Sequence, residues 1–130
     1  MKNFDEIKLA KELIRFPTIK TEDKGIMKFL SKKLSSIGFR CKVIKSKGLG
    51  SKSALNLFAK FGNSSPHINF LGHTDVVLNL ENWSLSPFKG IIKNGHLYGR
   101  GAQDMKGGIA CWMNAVSKFI KKKKLKVLFQ

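Results

Sequence analysis

Acidic residues are scarce in this 130-residue chain: eight Asp and Glu stand against 25 Lys and Arg, for a formal net charge of +17. The scarcity deepens along the chain, where only Asp75, Glu81 and Asp104 follow Lys24. Arginine is scarce as well, with Arg15, Arg40 and Arg100 beside 22 lysines. Reading of bases and phosphates relies on arginine's planar fork. The lysines are also spread out, apart from the run 121–124. A basic nucleic-acid-binding module is therefore the distant alternative, and a lysine-rich solvated surface the reading taken, with no nucleic-acid partner.

Two cysteines, Cys41 and Cys111, lie far apart and in no CxxC pair, which excludes a zinc knuckle or a dithiol redox motif. They are expected to be reduced, buried small side chains. No window approaches 18 consecutive apolar residues, so no membrane span and no membrane partner is expected. The first residues, Met1-Lys2-Asn3-Phe4-Asp5-Glu6, carry acids where a secretory signal has its apolar segment, which points to the cytoplasm. A hydrophobic content of 42% fits a globular chain, and residues 1–130 contain no internal repeat or domain boundary.

What is present reads as an α/β pattern. Ile7, Ala10, Leu13 and Ile14 recur at helical spacing, predicting a helix over Phe4 to Arg15 that Pro17 ends. A second helix is predicted over Glu22 to Ile37, capped by Thr21 and stopped by Gly38. The period then changes to two. Phe39, Cys41 and Val43 alternate with polar residues, as do Leu55, Leu57, Ala59 and Phe61, predicting two half-exposed strands separated by a loop over Ser46 to Ser53. His67 to Leu71 reads as a central strand buried on both faces. Asn94-Gly95 predicts a hairpin between Phe88–Ile92 and His96–Tyr98. A helix follows over Gly107 to Ile120, with Ile109, Met113, Val116 and Ile120 inward, and Leu125 to Gln130 begins another strand. The order implies a mixed central sheet flanked by helices.

Two stretches concentrate the scarce acids. In Leu71-Gly72-His73-Thr74-Asp75-Val76-Val77, His73 and Asp75 are two residues apart, on one side of an extended chain. In Gly99-Arg100-Gly101-Ala102-Gln103-Asp104-Met105-Lys106-Gly107-Gly108, one carboxylate stands inside a glycine-punctuated loop. A neutral imidazole is a common zinc ligand, and a carboxylate can bridge two metals. Asp75 would then hold the imidazole of His73 in its ligating tautomer. On spacing alone a histidine placed like His73 is more often a hydrogen-bonded structural residue, Asp75 fits a turn cap equally, and Asp104 fits the cap of a helix near Met105. Gly99-Arg100-Gly101 matches neither phosphate-loop pattern. His67 and His96 have no carboxylate company and are assigned structural roles, and Trp83, Phe88 and Tyr98 are assigned to packing around a loop. Two protein ligands fall short of the three that a catalytic zinc needs.

At Gly72-His73-Thr74-Asp75-Val76-Val77, Trp83, Pro87-Phe88, Asn94-Gly95 and Leu97 through Gly108, the chain resembles the N-terminal part of the dinuclear-zinc amidohydrolases. These include aminoacylases, carboxypeptidases and acetylornithine deacetylase. Leu13-Ile14-Arg15-Phe16-Pro17-Thr18-Ile19 and Ser36-Ile37-Gly38-Phe39 share the resemblance. It implies a zinc-exopeptidase-like catalytic domain cut after about a third of the family chain, the remainder and a dimerisation domain being absent. His73 would bind one zinc, Asp104 would bridge two zinc ions per subunit (with cobalt able to substitute), and Asp75 would orient His73. The substrate would be a small acylated amino acid, and the full-length protein a homodimer. The general base would belong to a Glu-Glu pair after the strand at Leu125–Gln130, so the chain alone is expected to be inactive and to bind zinc weakly. Leu78-Asn79-Leu80-Glu81-Asn82 departs from the family's usual Pro and Gly-Asp turn, at no proposed ligand.

Overall fold

The computed structural model describes residues 4–47, 53–78, 81–122 and 128–129. Helix α1 (Glu6–Ile14) starts at Asp5, whose carboxylate accepts from the Lys8 N–H at 2.7 Å. Asp5 is thus the cap of the helix and not part of its first turn. Leu9, Ala10, Leu13 and Ile14 turn inward.

Helix α2 (Ile26–Ser35) begins later than its periodicity predicts. Lys24 and Gly25 take left-handed φ values of 49° and 87°, which no helix can include. The predicted cap at Thr21 gives way to Asp23, whose carboxylate accepts from the N–H groups of Gly25 and Met27 at 2.8 and 3.1 Å. Gly38, at φ 97°, ends the turn after α2 as expected.

Strand β1 (Arg40–Lys47) pairs antiparallel with β2 (Ser53–Lys60), in register from Arg40↔Lys60 to Lys47↔Ser53. Most of the expected loop, residues 48–52, lies outside the described residues. Strand β3 (His67–Ile68) pairs in parallel with β6 (Leu128–Phe129), the described part of the final predicted strand. Strands β4 (Ile91–Lys93) and β5 (His96–Tyr98) form the expected hairpin, with Asn94 and Gly95 at φ 50° and 75° in the turn. Helix α3 (Gly107–Lys122) runs two residues past its predicted end at Ile120. Parallel and antiparallel pairs together with three helices make an α/β fold with mixed strand directions.

The core gathers Leu13, Ile26, Leu30, Leu34, Ile37 and Phe39 against the inner face of α3, where Ile109, Met113, Val116 and Ile120 are all buried as expected. Each large aliphatic side chain so covered contributes about 1.5–3 kcal/mol. Phe70, just after β3, stacks on Trp112 of α3 with centroids 4.8 Å apart, and Trp112 meets Phe39 edge-on. The exit of β3 is thereby moored to α3.

Two expectations fail. The strand at 67–71 is not buried on both faces, since Ile68 is 53% and Leu71 87% exposed. Among the described residues β2 and β3 are not hydrogen-bonded, and a cleft of about 650 Å³ lies between β2 and the segment that follows β3, beside Leu57, Ala59, Phe70 and Trp112. The cysteines are free but not buried. Cys111 is exposed because it lies on the outer side of α3, opposite Met113 and Ile109, and Cys41 is half-buried on β1. No described helix is long and apolar enough to cross a membrane.

Candidate metal centre

His73 and Asp75 lie past β3, and Asp104 lies in a π turn (Ala102–Lys106) that leads directly into α3. Asp104 itself departs from helical geometry, at φ −114° and ψ 88°, so its side chain leaves the helix axis instead of capping it. The fold brings these three residues together. His73 Nε2 stands 3.1 Å from Asp104 Oδ1, and His73 Nδ1 stands 3.3 Å from Asp75 Oδ1. The Asp75 carbonyl oxygen is a further 3.3 Å neighbour of Nδ1. All three side chains face solvent, at 45% exposure for His73, 63% for Asp75 and 78% for Asp104.

The arrangement has a definite electrostatic consequence. Two oxygens of Asp75 flank Nδ1, so the ring proton belongs on that nitrogen. Nε2 then presents a lone pair to the carboxylate of Asp104, and two lone pairs face each other across 3.1 Å. A proton or a cation between them resolves the repulsion. Two donors on one tetrahedral zinc, each bonded at roughly 2.0–2.1 Å, stand about 3.3 Å apart. The observed spacing fits a shared ion. Imidazole nitrogen and carboxylate oxygen are also donors that zinc accepts. The fit is that of two ligands: among the described residues, no cluster of three or more His, Cys, Asp or Glu converges on one point.

Glycines make the close approach possible. A Cβ on Gly72 would stand 3.0 Å from the Phe70 ring and 3.2 Å from Ile109, so the His73 loop lies directly on α3. Gly101, at φ 80°, is the crossing point of the two loops, where a Cβ would meet Val76 Cγ1 at 2.8 Å and Lys106 Cδ at 3.2 Å. Behind the loops sit groups that sequence patterns did not single out as functional. Thr18 is 1% exposed and Lys106 is fully buried, a lysine where periodicity predicts nothing. The glycines on both sides of Lys106 were the available signal, since they let the backbone fold over a long side chain.

Burial lowers the Lys106 amine from the ordinary 10.5 to about 8. Between those pH values the unfolded chain still holds a proton that the native chain has released. Native stability is therefore expected to rise with pH from about 8 to 10.5. Urea denaturation across that window checks it, and Lys106→Met should flatten the rise.

Of the remaining aromatic and histidine assignments, Trp83 and the two other histidines find places, whereas Tyr98 is exposed. The Arg100 guanidinium lies over the Trp83 ring at 5.0 Å, fixing the loop before the hairpin. His96 is exposed with Nδ1 2.8 Å from the Asn94 carbonyl oxygen, and His67 is exposed on β3, both away from the site.

Comparison with known proteins gives concordant results. Residues 70–130 match peptidase family M20/M25/M40. Succinyl-diaminopimelate desuccinylase of Pelagibacter ubique (strain HTCC1062) is 51% identical over 122 residues, covering 92% of this chain and 32% of that protein. The protein of the same name from Ehrlichia canis (strain Jake) is 47% identical, covering 88% of this chain and 30% of its own length. Human carnosine dipeptidase 1 superposes with a TM-score of 0.83 at 25% identity, over 95% of this chain and 30% of that one. An M20 family metallo-carboxypeptidase, Sso-CP2 from Sulfolobus solfataricus, has the same fold, with a TM-score of 0.83 at 23% identity over 99% of this chain and 30% of its own. The chain spans about a third of the length of the curated relatives it matches.

Proposed function

The chain belongs to peptidase family M20/M25/M40, and from that premise we propose that it carries part of a metal-dependent amide hydrolase acting on N-succinyl-LL-2,6-diaminopimelate. The products are succinate and LL-2,6-diaminopimelate. The observation that carries the proposal is the facing of His73 Nε2 and Asp104 Oδ1 across 3.1 Å, with Asp75 behind the ring. The substrate assignment rests on the relatives of 51% and 47% identity, both named succinyl-diaminopimelate desuccinylase.

In this reading His73 would hold a metal ion through Nε2, and Asp104 would offer its carboxylate to the same centre. Asp75 accepts the Nδ1 proton, which fixes the tautomer and raises the basicity of Nε2. A zinc pair supplies Lewis acidity when bound, polarising an amide carbonyl and making water acidic near neutral pH. The exposure of the three side chains leaves the donors open to a small substrate. By resemblance, the proposal extends to two zinc ions per subunit, with cobalt able to replace them, and to a cytoplasmic homodimer. These residues form the N-terminal portion of its catalytic domain, and the general base and remaining ligands lie outside them.

Calorimetric titration of this chain with zinc is expected to give weak binding that His73→Ala abolishes. A tight two-zinc isotherm, or turnover by these 130 residues alone, would refute the division of the site. Assay of the complete polypeptide on N-succinyl-diaminopimelate and N-acetylornithine tests the substrate, and preference for the second would overturn the assignment. Asp75→Asn should lower metal affinity or activity about 10–100-fold, the usual effect of losing a carboxylate behind a ligating histidine. An unchanged metal affinity in that variant would remove Asp75 from the site.

A further inference from the structure

We propose that residues Phe16–Lys20 form a strap that sets the distance between the two halves of the metal centre, with Thr18 and Lys106 as its positioning residues. The inference rests on the metal-binding reading given above. The strap begins where α1 ends, with Phe16 N–H donating to the Leu13 carbonyl at 3.2 Å. Pro17 then fixes the backbone φ of its second residue.

One side of the strap grips the His73 loop three times. The Thr18 hydroxyl donates to the Thr74 carbonyl at 2.5 Å, the Val76 N–H donates to the Thr18 carbonyl at 2.9 Å, and the Lys20 N–H donates to the Val76 carbonyl at 3.1 Å. Thr74 is the residue between His73 and Asp75, so these bonds fix the peptide from which both functional side chains spring. The other side of the strap grips the Asp104 loop. Lys106 Nζ donates to the Phe16 carbonyl at 2.7 Å, two residues beyond Asp104. Both loops are therefore referenced to five consecutive residues, and Val76 meets Gly101 where they cross.

Stability alone does not account for these choices. A buried lysine loses hydration, and among the described residues its head meets no carboxylate. Methionine would fill a similar volume without that cost. The Phe16 carbonyl would remain satisfied by the Thr18 N–H at 2.9 Å. What only the lysine provides is a reach from the Asp104 loop to the strap. Likewise valine would fill the space of Thr18 but leave the Thr74 carbonyl, on a residue 8% exposed, without its donor.

The test is a Co(II) titration of the isotopically labelled chain followed by NMR, with Thr18→Val, Thr18→Ser, Lys106→Met and His73→Ala. In the unsubstituted chain the His73 ring and the Asp104 carboxylate are expected to respond together at one Co(II) concentration. Thr18→Val and Lys106→Met should each raise that concentration about tenfold, the lower end of what losing a support behind a ligand does. Thr18→Ser should stay within about twofold, because it keeps the hydroxyl bond. Lys106→Met should do so while keeping or raising stability to urea at neutral pH, which a merely structural role would not produce. Folded variants that bind Co(II) as the unsubstituted chain does would overturn the strap. A chain whose His73 and Asp104 do not respond together, or whose response survives His73→Ala, overturns the metal reading instead. The strap is then decided by hydrogen exchange of the unsubstituted, metal-free chain, which also covers any variant that fails to fold. The amides of Lys20, Val76 and Lys106 should open with one common free energy; clearly separate openings would sink it.

Discussion

Gly107→Ala is expected to unseat Asp104 and to destabilise the chain by about 2–4 kcal/mol, combining overpacking with the loss of one hydrogen bond. The φ of Gly107 is an ordinary −65°, so conformational freedom is not the reason for glycine here. Space is. A Cβ at this position would stand 2.3 Å from the Ala102 carbonyl oxygen, the atom that accepts the Gly107 N–H and closes the π turn. That neighbour is backbone and cannot swing away as a side-chain terminus would. The turn must open, and Asp104 sits at its centre. Thermal melting should show the destabilisation, and the joint Co(II) response of His73 and Asp104 should disappear. Melting and Co(II) affinity that both match the unsubstituted chain would show that the turn does not hold Asp104.

Asp104→Ala is expected to do the reverse: abolish the proposed chemistry and leave the fold alone. The side chain is 78% exposed, and its one ion pair among the described residues is with His73, so its loss should change stability by no more than about 0.5 kcal/mol. If the complete polypeptide is the proposed hydrolase and Asp104 its shared ligand, the substitution should remove several kcal/mol of transition-state stabilisation, a fall in turnover of about a thousandfold or more. Asp104→Asn keeps the shape and loses the charge, and should fall nearly as far. Turnover within about tenfold of the unsubstituted enzyme would exclude Asp104 from the metal centre. The two substitutions separate the loop that presents the ligand from the ligand itself.

Much of the architecture was legible from local patterns. The inner face of α3 reads directly from Ile109, Met113, Val116 and Ile120, because a helix repeats its buried positions every three or four residues. Asn94-Gly95 announces its turn because both residues tolerate positive φ. Local patterns erred where a distant or competing group decides. Thr21 yields the cap of α2 to Asp23 because Lys24 and Gly25 turn left-handed first, a choice invisible to periodicity. His67 to Leu71 reads as a doubly buried strand from its apolarity. Burial, however, depends on which elements lie across it, and Leu71 stays 87% exposed among the described residues. Cys111 is on the outer side of α3 although its residue type is usually buried.

The sequence by itself determined the ingredients of the centre: a histidine and a carboxylate on one side of an extended stretch, and a lone carboxylate among glycines. Residue chemistry and spacing are local properties, so a pattern can carry them. Only the tertiary structure decided that His73 Nε2 and Asp104 Oδ1 stand 3.1 Å apart and that Asp75 takes the other ring nitrogen. It alone also ties both loops to Phe16–Lys20 through Thr18 and Lys106. Those contacts join residues 56 and 90 positions apart in the chain, a separation that no local periodicity spans and that packing of α1 against α3 closes.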